Sequence, residues 1–225
     1  MTRIVDRDIE GLRELALRMG SHAEEILAKS LRSLLDPGLC EEVQRDDIEI
    51  DRLDVAIDDA VLQLLATQAP VASDLRFVLA TRSIATDLER VGDIARNIAK
   101  SALRLGADSR FELPPRLETL SKDAQRLLRK SLDAYANTDA EEAQRILSED
   151  DEIDAAESLV IRDAIAEMIR HPDLTSREVD LIMIAKNLER VADHATNIAE
   201  DVILTVEARN MKHLSKLAPE AEAPE

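Results

Sequence analysis

Buried-type positions recur along this chain at intervals of three and four. Phe77, Thr81, Ile84, Leu88, Val91, Ala95, Ile98, Ala102 and Leu105 step in this way, and so do Leu181, Ile184, Leu188, Val191, Ala195, Ile198 and Val202. That spacing belongs to a helix with one buried stripe. Proline and glycine break the pattern at LDPG (35–38), QAP (68–70), LGADSRFELPP (105–115) and HPD (171–173). Together with NTDA at 137–140, these breaks predict six helices near residues 6–35, 39–68, 72–105, 114–137, 139–170 and 175–209. Pro114 and Pro115 suit the first turn of a helix. Thr138 with Glu141, and Thr175 with Glu178, have the spacing of capping boxes. The predicted fold class is all-α.

The six segments read as three helices written twice. LERVGDIARNIA at 88–99 returns as LERVADHATNIA at 188–199, an offset of 100. Lys-Ser-Leu at 29–31 returns at 130–132, and Asp47, Asp51 and Asp54 return as Asp150, Asp154 and Glu157, offsets of 101 and 103. Loop-length differences produce such drift, so the pattern predicts two tandem pseudo-symmetric three-helix bundles. Their expected ranges are 1–108 and 109–212, followed by an acidic tail over 213–225 expected to be disordered.

Composition narrows the function. Aromatic residues make up only 1% of the chain and glycine occurs five times, so the core must be built from Leu, Ile, Val and Ala in packed helices. The formal charge of −18 repels phosphate backbones and attracts cations or basic protein surfaces, which argues against nucleic-acid binding. There is no glycine-rich phosphate loop of either common type. Cys40 is the lone cysteine, which excludes an intrachain disulfide and fits a reducing compartment. The start resembles no signal peptide and no apolar run reaches membrane-spanning length, so a cytoplasmic protein is expected.

The acids are placed with more order than a solvated surface requires. With Glu89 at zero and about 100° per residue, Asp93 falls near 40°, while Leu88, Val91, Ala95 and Ile98 fall between about 180° and 260°. The carboxylates are thus expected together and opposite the core. Asp47, Asp51, Asp54 and Asp58 form a similar stripe on the second helix. Asp47/Asp51 and Glu89/Asp93 are equidistant from position 70, the predicted hairpin turn, and therefore level on neighbouring helices. Asp150/Asp154 and Glu189/Asp193 are level in the same way about a turn at 171–172. Like charges held so close are unfavourable without a cation, and an oxygen-rich set suits a hard metal ion, to which His194 adds a possible nitrogen. The bland alternative is a solvated acidic face with Arg90, Arg96 and Arg190 in exposed ion pairs.

A D-x-x-x-D on the second helix of each bundle and an E-R-x-x-D-x-x-x-N-I on the third resemble the PhoU family of phosphate-transport accessory proteins. SDLR at 73–76 matches a further element, which the second half, beginning HPDLTSREVD, lacks. The resemblance covers residues 1 to about 210. It implies a non-enzymatic negative regulator of phosphate uptake and of the phosphate-starvation response, acting between the ATPase subunit of a phosphate ABC transporter and a membrane sensor histidine kinase. It also implies a homodimer that meets the membrane only through its partners, and metal ions (iron, zinc, manganese or magnesium) on E/D-x-x-x-D motifs. Carried over, these are Asp47, Asp51, Glu89 and Asp93 in one half and Asp150, Asp154, Glu189 and Asp193 in the other. Two other readings compete. A carboxylate-bridged di-metal enzyme needs E-x-x-H pairs facing a bundle core, and the chain has no E-x-x-H. A metal-free acidic adaptor needs only the charged face.

Overall fold

The computed structural model describes residues 4–106, 111–209 and 211. Six α-helices follow in order: α1 (Ile4–Arg32), α2 (Cys40–Gln68), α3 (Ser73–Leu105), α4 (Pro115–Asn137), α5 (Ala140–Arg170) and α6 (Thr175–Glu207). Single 3₁₀ turns at Pro37–Leu39 and Pro172–Leu174 precede α2 and α6. The all-α expectation holds, with every element close to its predicted span. The predicted tail at 213–225 lies outside the described residues.

The two halves are not separate bodies. In each, the third helix packs on both its companions, and α3 also packs along α6. The stripes identified in the sequence are what this central pair buries: Ile84, Leu88, Val91, Ala95 and Ile98 are fully buried, as are Ile184, Leu188, Val191, Ala195 and Ile198. One apolar cluster runs through all six helices. A three-helix unit of this size has little interior of its own, and sharing α3 and α6 raises the fraction of surface each half buries. Two of the few aromatic rings close the seam, Phe77 of α3 stacking on Tyr135 of α4 with centroids 6.1 Å apart. The Tyr135 hydroxyl lies 2.9 Å from Thr81 Oγ1, and burial pushes the phenol up to about 12. At Gly20 of α1 an added Cβ would come within 2.7 Å of Leu132 of α4, so the missing side chain permits that close approach.

The helix starts correct one detail of the sequence reading. Asp139, not Thr138, caps α5, accepting from the Glu142 backbone N–H at 3.0 Å. Thr138 instead ends α4 in the left-handed conformation, φ 56°. Thr175 turns its hydroxyl back onto the Pro172 carbonyl at 2.7 Å, because the 3₁₀ turn before it places a carbonyl within reach, and α6 has no side-chain cap. Pro115 does open α4.

The repeated Lys-Ser-Leu has a structural cause. Lys29 of α1 pairs with Asp46 and Glu42 of α2, and Lys130 of α4 pairs with Glu149 and Glu142 of α5. Ser30 and Ser131, both fully buried, bond to the carbonyls three residues back. The same strut joins the first and second helix of each half. Among the described residues, no helix is long and apolar enough to cross a membrane.

Candidate metal centres

Antiparallel packing about each turn brings the level acids of neighbouring helices into one electrostatic neighbourhood. In the first half, burial pushes the Asp47 carboxyl up; Arg96 pulls it back down, while Asp51 and Asp93 push it further up. Glu89 is raised by burial and by Asp93, with Asp54 and Asp51 adding to it. In the second half, Asp150 is pushed up to about 6 by burial and by Asp193, Asp154 and Asp151. Desolvation and Asp154 raise Glu189 and Asp193 too, although Asp193 is exposed, while Lys186 lowers Glu189 and His194 and Arg190 lower Asp193. All eight residues thus fall into the two expected clusters.

The expectation that these acids point away from the core fails at Asp47. This side chain is buried, and its Oδ1 sits 2.9 Å from where a Cβ on Gly92 would lie. The absent side chain on α3 is what lets the carboxylate enter the helix interface. The buried charge is answered from within the fold: Arg96 Nη1 lies 2.8 Å from Asp47 Oδ2 and its Nη2 bonds Asp93. Arg90 reaches Asp93 at 3.1 Å and Glu89 at 3.4 Å. Farther along the stripe, Arg82 bridges Asp54, at 2.9 Å, and Asp58. Of the four first-half candidates, Asp51 is the one without an ion pair among the described residues.

The second cluster has the same acids and none of these bridges. Thr196 stands where Arg96 does, and its hydroxyl bonds the Asp193 main-chain carbonyl at 2.8 Å. Ala192 stands where Gly92 does, and Asp150 is correspondingly half-buried where Asp47 is buried. No ion pair reaches Asp150, Asp154, Glu189 or Asp193 among the described residues, and Asp150 Oδ1 is enclosed without a hydrogen-bond partner. On α6, Lys186 eases Glu189 but is engaged by Glu157 at 3.0 Å, while Arg190 and His194 ease Asp193 from beyond ion-pair distance. Like charges concentrated without a paired cation, with one oxygen orphaned, form a donor set that suits a hard cation. Among the described residues, no three of these side chains are drawn into a closed coordination shell. An ion would have to draw the carboxylates inward in the second half, and would have to displace Arg96 in the first.

His194, the possible extra nitrogen beside the second cluster, is engaged elsewhere. Its Nδ1 is 2.8 Å from Asp87 Oδ1 on α3, and Asn197 Nδ2 donates to the same oxygen at 3.2 Å. Asp87 is buried, so this trio ties α6 to α3 across the halves. Asn197 thus also bonds a neighbouring helix. The signal for Arg96 and His194 was present in the repeat itself, at the places where the two copies differ: Gly92 against Ala192, Ile94 against His194 and Arg96 against Thr196.

Comparison with known proteins accounts for the duplication. The PhoU domain model matches twice, at residues 16–102 and 117–202. A phosphate-specific transport system accessory protein PhoU homolog of Rhizobium meliloti is 36% identical over 200 residues, covering 88% of this chain and 84% of that one. The crystal structure of PhoU from Pseudomonas aeruginosa superposes with a TM-score of 0.86 at 31% identity, covering 91% of this chain and 99% of that one. That of the phosphate transport system regulatory protein PhoU from Streptococcus pneumoniae gives 0.85 at 28% identity, over 92% and 98%. With two PhoU domains spanning both halves and one helical framework shared along nearly its whole length, this chain belongs to the PhoU family.

Proposed function

We propose that the chain is a non-catalytic accessory regulator of phosphate uptake. It acts in the cytoplasm as an adaptor between the ATPase subunit of a phosphate ABC transporter and the sensor histidine kinase of the phosphate-starvation response. The observation that carries this reading is the doubled LERVxDxAxNIA helix, placed on the α3–α6 axis of a framework shared with phosphate-transport accessory proteins. The strongly acidic surface supports indirect sensing, since it disfavours tight binding of free phosphate and favours basic protein surfaces. Deleting the gene in its host is expected to switch on phosphate-starvation genes in phosphate-rich medium, and unchanged expression there would overturn the assignment.

In this reading Asp150, Asp154, Glu189 and Asp193 hold a metal ion, which supplies positive charge at the level where α5 faces α6. The orphaned Asp150 oxygen and the lack of an ion pair to any of these four acids among the described residues support it. Asp47, Asp51, Glu89 and Asp93 form the second candidate set, in which Arg96 competes with an ion for Asp47 and Asp93.

A further inference from the structure

Below the second acid cluster, toward its turn, the α5–α6 hairpin changes from charged to apolar. Glu157 and Lys186 face each other across the two helices at 3.0 Å. From Glu157, Ile161, Ile165 and Met168 follow at i+4, i+8 and i+11; from Lys186, Met183, Ile182 and Val179 precede at i−3, i−4 and i−7. At about 100° per residue these positions stay on the side of the hairpin that carries the ion pair. Ile165 is 47% exposed, Val179 46% and Met183 48%, and Ile169, slightly farther around α5, is 76% exposed. Ile161, Met168 and Ile182 are half-buried and fill the space between them.

The first half shows what this surface looks like when it is not apolar. Asp58 stands at the place of Ile161 and Arg82 at that of Ile182, and the two form an ion pair; Ser83 replaces Met183. Two exposed leucines, Leu62 and Leu79, remain there at the places of Ile165 and Val179, one turn from the Asp58–Arg82 pair. The other exposed apolar series, Ile48, Val55 and Leu62 on α2, is a single row interrupted by Asp51, Arg52 and Asp59. On α5–α6, Ile169 and Met183 add to the Ile165 and Val179 positions and no charged pair takes the places of Ile161 and Ile182, and such a larger exposed apolar patch marks an interaction surface.

Charge selects the occupant. The patch ends at Asp150, Asp154, Glu189 and Asp193, and the whole chain carries −18. A second copy of the chain would add further acids to this rim, whereas Lys or Arg side chains would be attracted to it. Four carboxylates remain net negative beside one divalent ion, so a metal at the cluster leaves this attraction in place.

We propose that the α5–α6 hairpin is the docking surface for an amphipathic helical segment of a partner protein, laying its apolar ridge over Ile165, Ile169, Val179 and Met183 and directing Lys or Arg toward the acidic end. This rests on the adaptor reading and gives it a surface. The test uses the full chain and a fluorescent amphipathic helical peptide of Leu and Lys, roughly 16 residues long, with a Leu/Glu peptide as control, read by anisotropy. Ile169→Glu and Val179→Glu are each expected to weaken Leu/Lys binding by about tenfold or more, and Val55→Glu on α2 by less than about twofold. Circular dichroism and thermal melting check that the variants fold. Equal binding by all variants, or equal binding of the Leu/Glu peptide, overturns the proposal. So does a concentration-dependent dimer lost in Ile169→Glu, which assigns the patch to a second copy. Binding to phosphatidylglycerol vesicles lost in the same variant assigns it to a membrane and overturns it as well. The peptide assay does not depend on the gene-deletion phenotype, so failure of the adaptor reading and failure of the docking surface are distinguished.

Discussion

The two acid clusters stand at equivalent heights on equivalent helices and carry acids at the same four places, yet their charge is balanced differently. In the first, Gly92 opens a niche, Asp47 enters it, and Arg96 binds it together with Asp93. In the second, Ala192 and Thr196 replace glycine and arginine, Asp150 stays half-buried, and its Oδ1 has no partner. A duplicated polar motif therefore does not guarantee duplicated electrostatics. One cluster is bridged by the fold's own arginines, and the other has no ion pair among the described residues.

The sharpest way to break this comparison is to remove the acids of one half at a time. Asp154→Ala with Asp193→Ala is expected to weaken Mn(II) binding by about 100-fold or more, and Asp47→Ala with Asp93→Ala by much less. Isothermal titration of chelator-treated protein measures both, and equal losses would show that Arg96 does not distinguish the sites. Arg96→Thr, which makes the first cluster resemble the second, should destabilise metal-free protein by about 2 kcal/mol, since it leaves Asp47 buried and unpaired. Urea unfolding at neutral pH checks this, and added divalent cation should restore part of the loss.

A third change tests a bond that only one half possesses. His194→Ala leaves the buried Asp87 with Asn197 alone and is expected to cost about 1.5 kcal/mol, whereas Ile94, the equivalent residue, makes no such bond. The smallest effect concerns Asp150. Its folded pKa, pushed up to about 6, lies above the usual carboxylate value of 3.8. The folded state therefore binds the extra proton between these values, and metal-free protein should lose stability as pH rises from about 4 to 6. Asp150→Asn should flatten that fall and, after allowance for solvent screening, raise stability at pH 7 by about 1 kcal/mol. Thermal melts across this pH range provide the measurement, and a variant no more stable than the parent would refute the claim.

Much of this was legible before any coordinates, because it depends on period and count. The step of three and four marked α3 and α6, and the turns fixed by Pro70 and Pro172 made equal distance along the chain equal height between helices. Less was legible where an outcome depended on which neighbour arrives. The acid stripe of α2 was read on an isolated helix, which could not include the α3 backbone that Gly92 allows to come close to Asp47. Thr138 read as a cap because its spacing was right, but the chain reverses there in a left-handed turn and Asp139 takes the role.

Local sequence by itself determined the helices, the duplication and the level pairing of acids, since hydrophobic period and breaker residues act over a few turns of one chain. Tertiary structure alone decided that α3 and α6 share a core, that His194 belongs to Asp87, and that Arg96 bridges one cluster while the other has no ion pair among the described residues. Those outcomes are set by separations between side chains remote in sequence, and at a few ångströms a single guanidinium changes the sign of what a carboxylate cluster requires.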